Sequence, residues 1–304
     1  MNTQLASPPA RENRLTLFLA LASVYVLWGS TYLFVHFMTE QMPPLYMASL
    51  RLSSAGALLY LYARLTGTAA PGRKQWLSAG SIGVLLLTIA NGCMTLALQY
   101  IPTNIAALIS ATVPVFIISL NWIAFNRVRP TVLAMLGLGV GLLGVALLVR
   151  PGGGNTGGPG LWTGVGLITI GNLSWAVGTL LSSRLSLPPQ LISSAVQMLV
   201  GGGIMFGLSM LTEDATLLSI SQAPPKAIGS LIYLIIFGSI IGFSSFAWLA
   251  RNAPPQLVST YAYVNPVVAM ILGWAFAGEH LTLHSFIAAA VILAGVVLIT
   301  LGRK

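Results

Sequence analysis

The chain has 304 residues, 56% of them hydrophobic and only 6% charged. A soluble domain carries about a quarter charged residues, so this chain cannot cover a water-facing surface, and its solvent is largely lipid. The net charge of +9 would suit nucleic acid, but the basic residues follow a different order, described below. A single cysteine, Cys93, excludes an intrachain disulfide and a thiolate metal site.

Ten apolar runs are predicted as membrane-spanning helices, near 15–37, 44–65, 76–98, 103–124, 131–149, 161–183, 189–211, 227–249, 256–277 and 284–302. Each has about the 20 residues needed to cross a hydrocarbon core of roughly 30 Å. Strand-like alternation is absent, so a β-barrel is not expected. The first run reads as a span rather than a cleavable signal, because it is too long for one and carries Trp and His. Its centre, "LWGSTYLFVHF" (27–37), interrupts the oil with polar and aromatic residues. On a helix Trp28, Thr31, Tyr32, Val35 and His36 share a face, with Trp28 just past mid-membrane. That row suits a cavity: an aromatic plane, hydroxyls, and Gly29 to admit a neighbouring helix. An interfacial aromatic belt is the plainer account of Tyr32 and His36.

The second run carries Arg51, the one basic residue deep in a span and roughly 10 Å from the helix end. A buried Arg is costly and marks function by default. It could receive a substrate carboxylate or bond free carbonyls at a helix end. Cys93, in the third run, is expected to be a buried packing residue. The fourth run contains "SATVPV" (110–115), where Pro114 cannot donate to the Ser110 carbonyl. Thr112 lies beside that break. In the fifth, "GLGVGLLG" (137–144) has the small-residue spacing of helix contacts. "PGGGNTGGPG" (151–160) reads as a flexible connector.

The sixth run offers Asn172, Ser174, Trp175 and Thr179 in "NLSWAVGTLL". The seventh has "GGGIMFG" (201–207), again packing. The ninth contains "AYVNPV" (262–267), where Pro266 cannot serve the Ala262 carbonyl, with Tyr261, Tyr263 and Asn265 nearby. Glu279 and His280 follow it and are expected to be solvated interface residues, like His36.

The chain repeats itself. "IPTNIAALISATVPVFIISLNW" (101–122) aligns without a gap onto "APPQLVSTYAYVNPVVAMILGW" (253–274). Pro102, Pro114 and Trp122 fall on Pro254, Pro266 and Trp274. Trp28 corresponds to Trp175, and Arg51 lies near the counterpart of Gln197. Five helices followed by five more make an inverted repeat, because five is odd. The expected fold is an all-α integral membrane protein with ten transmembrane helices as two inverted five-helix repeats, 1–150 and 151–304. Two interrupted helices at corresponding positions point to a lined cavity between the halves.

Charge order orients the bundle. With the N-terminus cytoplasmic, Arg11, Arg14, Arg64, Arg73, Lys74, Arg127, Arg129, Arg184, Arg251, Arg303 and Lys304 fall inside, eleven of the 14 basic residues. Only Arg150 and Lys226 fall outside. This follows the positive-inside rule, with both termini cytoplasmic. No Walker motif is present, so nucleotide hydrolysis is not expected. Nor is a catalytic set visible, so an enzyme is not expected. No cofactor and no metal is expected.

"WGSTY", the Pro-Pro opening the second span, "SWAVG", "YAYVNPVVA" and "GEHLTLHSFIAAAVILAGVVLI" together resemble the EamA family of ten-helix carriers in the drug/metabolite transporter superfamily, in its YedA-like form. The resemblance covers nearly the whole chain. It implies two inverted repeats and export of amino acids, including neutral and aromatic ones, or similar small metabolites across a bacterial inner membrane. Members often carry Gly-Glu in both copies; here Gly278–Glu279 fits, but the first copy has Asn126–Arg127. The expected substrate-binding residues are Trp28, Thr31, Tyr32, Arg51, Thr112, Pro114, Asn172, Trp175, Thr179, Tyr261, Tyr263, Asn265 and Pro266. The expected function is a secondary transporter working by alternating access, with a small-molecule substrate, the bilayer as surroundings, and a monomer as the unit. The alternative is a passive channel or lipid flippase of the same fold.

Overall fold

A computed structural model describes residues 11–40, 42–125, 127, 129–149, 160–213, 223–253 and 261–302. Among the described residues the regular structure is entirely helical. It falls into ten stretches: α1 (Arg11–Thr39), α2 (Pro44–Leu65), α3 (Arg73–Ala97), α4 (Thr103–Phe125), α5 (Val132–Val149), α6 (Leu161–Ser182), α7 (Gln190–Thr212), α8 (Pro225–Tyr233, Leu234–Ile241 and Gly242–Asn252), α9 (Tyr261–Phe276) and α10 (Leu283–Leu301). They sit where the hydropathy placed them. Six are long and apolar enough to cross a membrane, namely α1, α3, α4, α6, α7 and α8, while α5, α9 and α10 contain shorter apolar helices. The 151–160 connector, Gly160 aside, lies outside the described residues, as do 214–222 and 254–260.

Helices pair across the chain's midpoint. α2 packs along α7, α5 along α10, α1 against α8 and α9, and α6 against α3 and α4. The α5–α10 crossing is a backbone contact. A Cβ at Gly295 would stand 2.5 Å from the Gly141 nitrogen, and one at Gly144 would stand 2.7 Å from the Ile292 nitrogen. Small residues let backbones meet where lipid supplies no hydrophobic drive between helices.

Two helices change pitch midway. α3 turns π-helical over Val84–Asn91, and α8 over Leu234–Ile241. α4 breaks at Ala111–Thr112, just before Pro114, whose missing N–H removes a rung there. α9 differs from expectation. It runs unbroken through Pro266. Only the rung to the Ala262 carbonyl is lost, and that rung lies in the first described turn.

The apolar core is lopsided. One large cluster joins eight helices at the end where α2 and α4 begin, through Val35, Met38, Met47, Leu98, Ile105 and Leu231 among others. At the opposite end the buried residues divide into two small groups, Ala20, Val24 and Leu249 in one, and Ala63, Ala79, Ile192 and Val196 in the other. Among the described residues the end where α2 and α4 begin is the sealed one, and the other end is packed less continuously.

Two carboxylates hold helix starts at the sealed end. Glu213 accepts from the Leu45 and Tyr46 amides at 2.9 and 3.0 Å, and from Ser209 Oγ at 2.7 Å. Glu279 accepts from the Thr103 amide and hydroxyl at 2.5 and 2.6 Å, and from the Asn104 amide at 3.2 Å. Glu279 is therefore a helix cap and not the solvated residue expected. Its partners lie 176 positions away in the chain, where no local pattern reveals them. His280 is exposed. His36 pairs with Glu40 at 3.2 Å.

Losing a side-chain cap costs about 0.5–2 kcal/mol. Glu279→Ala is thus expected to lower the thermal unfolding midpoint of the detergent-purified protein. Glu279→Gln, which keeps one acceptor, should fall between it and wild type. An unchanged midpoint in the alanine variant would show that the cap contributes nothing.

Candidate functional site

A cavity of about 170 Å³ lies at the centre of the bundle. Seven helices contribute to it, and α5, α7 and α10 do not. Ten of the sequence-predicted residues line it: Trp28, Thr31 and Tyr32 from α1, Arg51 from α2, Pro114 from α4, Asn172 and Trp175 from α6, and Tyr261, Asn265 and Pro266 from α9. Thr112 stands behind the wall, its hydroxyl donating to the Ile109 carbonyl at 2.6 Å. Thr179, one turn beyond Trp175, is half-buried and does not line the cavity. The Tyr263 side chain lies outside the described residues.

The α1 face divides. Trp28, Thr31 and Tyr32 face the cavity, but Val35 enters the sealing core and is fully buried. Gly29 admits α9 as expected, since a Cβ there would stand 2.6 Å from Val268 Cβ. The hydroxyls are less available than the sequence suggested. Ser30 Oγ and Thr31 Oγ1 both donate to the Leu27 carbonyl at 2.9 Å, and Ser30 also meets the Tyr233 hydroxyl at 2.8 Å. Tyr32 and Ser110 both line the cavity.

Trp28 sits in an aromatic box. Its ring centroid lies 5.5 Å from Phe243, 5.0 Å from Phe246 and 5.4 Å from Tyr261. Such tilted and edge-on contacts fix the indole plane. Trp175 also lines the cavity, without a described ring contact.

Two amides hold the wall together. Asn172 Nδ2 donates to the Ile109 carbonyl at 2.9 Å and to Thr112 Oγ1 at 3.2 Å. Asn265, with its amide nitrogen turned to the carbonyls, donates to Tyr25 and Tyr261, each at 3.2 Å. By the repeat alignment Ile109 corresponds to Tyr261. Each amide thus holds a carbonyl one turn before the proline region, where one helix crosses another.

Arg51 is 3% exposed and reaches the cavity. Its Nε donates to Ser239 Oγ at 3.0 Å, on the π-helical turn of α8. No acid pairs with it among the described residues. Glu40, Glu213 and Glu279 are engaged elsewhere. The Gln197 counterpart turns away, donating to Ser193 Oγ at 3.0 Å within its own helix.

Sequence reasoning missed Asn91, Ser110 and Phe243, which line the cavity. Asn91 carried a signal, as a lone amide in the apolar "LLLTIANGCM". Ser110 lay within the quoted break. Phe243 carried none, being one apolar residue among many. Among the described residues no cluster of metal-ligating side chains occurs.

An apolar helical bundle around a central, partly polar cavity defines an integral membrane protein of the transporter kind. The chain belongs to the EamA-like transporter family, whose model matches residues 14–150 and again 162–301. It is 40% identical over 290 residues to an Escherichia coli (strain K12) protein described as the uncharacterized inner membrane transporter YedA, covering 95% of this chain and 92% of that one. It is 25% identical to the uncharacterized transporter YvbV of Bacillus subtilis (strain 168), over 92% of this chain and 88% of the relative. A crystal structure at 19% identity shares the fold, with a TM-score of 0.68 over 97% of this chain and 99% of that one.

Asn172→Leu or Asn265→Leu would remove the side-chain bonds that tie α6 to α4 and α9 to α1, at about 0.5–1.5 kcal/mol each. Both variants are expected to unfold earlier than wild type in a detergent thermal melt. A wild-type melting curve for both would remove the amides' wall-holding role.

Proposed function

We propose that the chain is a secondary carrier exporting small amphipathic metabolites, foremost neutral and aromatic amino acids, across the bacterial inner membrane by alternating access. The observation that carries this reading is the cavity itself: a buried Arg51, with no acid partner among the described residues, lines it together with the aromatic side chains of Trp28 and Trp175. A guanidinium presents a planar, two-donor face to a carboxylate. The tryptophans suit an apolar or aromatic side chain.

Ten crossings and two inverted five-helix repeats, 1–150 and 151–304, make the architecture. Their support is the family model's double match, the cross-midpoint pairing and the π-helical turns 150 positions apart in α3 and α8. The positive-inside bias puts both termini in the cytoplasm and the sealed end outside. In that orientation the cavity is closed to the exterior. The seal has a cost: Tyr46 Oη, Thr95 Oγ1 and Asn104 Oδ1 are buried there without a partner. Each unmet group weighs about 1–3 kcal/mol against closure, which suits an end that must also open.

Reporter fusions are expected to place the 151–160 loop outside and the 126–130 loop inside; finding both on one side would end the inverted-repeat reading. In proteoliposomes, saturable counter-flow is expected, whereas unsaturable flux would favour a channel. Arg51→Gln should weaken an amino acid far more than its amide, and Lys should rescue only partly. An equal loss for both compounds would leave Arg51 a packing residue. Trp28→Ala and Trp175→Ala should each weaken apparent affinity by roughly 2- to 10-fold, and normal transport by both would make them packing residues.

A further inference from the structure

Arg51 gives the cavity wall a positive pole, and among the described residues no acid lines it. A cationic group entering the cavity is therefore met by dipoles. The break in α4 supplies them. Its first segment ends at Ser110 and its second begins at Val113. Pro114 has no N–H for the Ser110 carbonyl four residues back. The Val115 amide donates to the Thr112 carbonyl at 2.9 Å, one residue out of step. The Ala111 carbonyl is thus left without a backbone donor. Ser110 and Ala111 both line the cavity. The last carbonyls of a helix also carry partial negative charge.

Asn172 brings a second acceptor to the same place. The Ile109 carbonyl already takes three donors: the Thr112 amide at 3.0 Å, Thr112 Oγ1 at 2.6 Å and Asn172 Nδ2 at 2.9 Å. A carbonyl only accepts, so the nitrogen of Asn172 is the atom turned to it, and Oδ1 points elsewhere. Nδ2 also lies 3.2 Å from Thr112 Oγ1, which clamps the amide onto the break. Among the described residues no donor reaches Asn172 Oδ1. Unlike Asn91 Oδ1, it is not shut away from open space. It keeps accessible surface on a residue that lines the cavity.

Two acceptors without a protein donor thus belong to the α4 break. A buried carbonyl left unmet is costly, and a ligand that donates to it removes that cost. Two oxygens fall short of the shell that a hard metal cation takes. They suit an ammonium, which has three N–H donors to share. We propose that the break in α4 is an ammonium subsite, where the Ala111 carbonyl and Asn172 Oδ1 accept hydrogen bonds from the α-ammonium of an amino acid. This rests on the amino-acid reading above. It extends that reading from the carboxylate to the other charged end of the substrate.

The test compares three probes on the purified protein by calorimetry in potassium buffer: phenylalanine, 3-phenylpropionate, which lacks the ammonium, and phenylalaninamide, which lacks the carboxylate. Wild type is expected to bind phenylalanine roughly 10- to 100-fold more tightly than 3-phenylpropionate, the range for a hydrogen bond to a charged group. Asn172→Leu, which removes Oδ1, should narrow that gap by weakening phenylalanine more than 3-phenylpropionate. Pro114→Ala should narrow it too, because it returns an N–H to the break; it decides the matter if the leucine variant does not fold. A merely structural role for either residue would weaken both ligands alike and leave the gap as it was. A gap absent in wild type, or unchanged in every variant that folds, overturns the subsite and leaves the carboxylate reading standing. So does binding of both acids that requires sodium in place of potassium, since a metal ion would then occupy the break. Phenylalaninamide bound as tightly as phenylalanine, with the gap intact, sustains the subsite and removes the carboxylate role of Arg51 instead. Binding of none of the three probes by wild type overturns both.

Discussion

A peptide group in hydrocarbon has no water to turn to, so every loose end of a helix must find a partner inside the protein. This bundle meets that demand with four side chains supplied from elsewhere in the chain. Glu213 closes the start of α2, and Glu279 the start of α4. Asn172 ties α6 to the break in α4, and Asn265 ties the start of α9 to α1. Each bond therefore satisfies a backbone and joins two helices at once. Removing Glu213 or Glu279 leaves helix-start amides stranded, which costs more than the bonds themselves contribute. The same demand explains the isolation of Arg51, since the described acids are already engaged.

Equivalent positions of the aligned halves carry different chemistry. The two helix crossings are held by amides from different helices: Asn172 stands where the first half has Tyr25, and Asn265 where it has Val113. Pro114 accompanies a break and Pro266 a continuous helix. Arg51 opens onto the cavity, while Gln197 folds back on Ser193. Glu279 caps a helix where the aligned residue is Arg127. Trp28 is boxed by three rings, and Trp175 has no described ring contact. A cavity built this way presents one cationic side chain and one fixed aromatic plane.

The sequence by itself determined the lipid surroundings, the positions of the ten helical stretches, the close approach at Gly29, the break before Pro114 and about half of the cavity wall. These follow from properties a residue carries with it: an apolar side chain, an absent Cβ, an absent N–H, a polar group too costly to face lipid. Only the tertiary structure decided that Thr112 stands behind the wall, that Glu279 caps α4, that Val35 leaves the cavity face for the core, and that Asn91 lines the cavity with its Oδ1 buried. Each of those depends on which helix lies alongside, and the Asn91 acceptor is closed off from the cavity by its neighbours. Partners separated by 60 positions, as Asn172 and Thr112 are, or by 176, as Glu279 and Thr103 are, meet through helix packing, and no local pattern encodes that meeting.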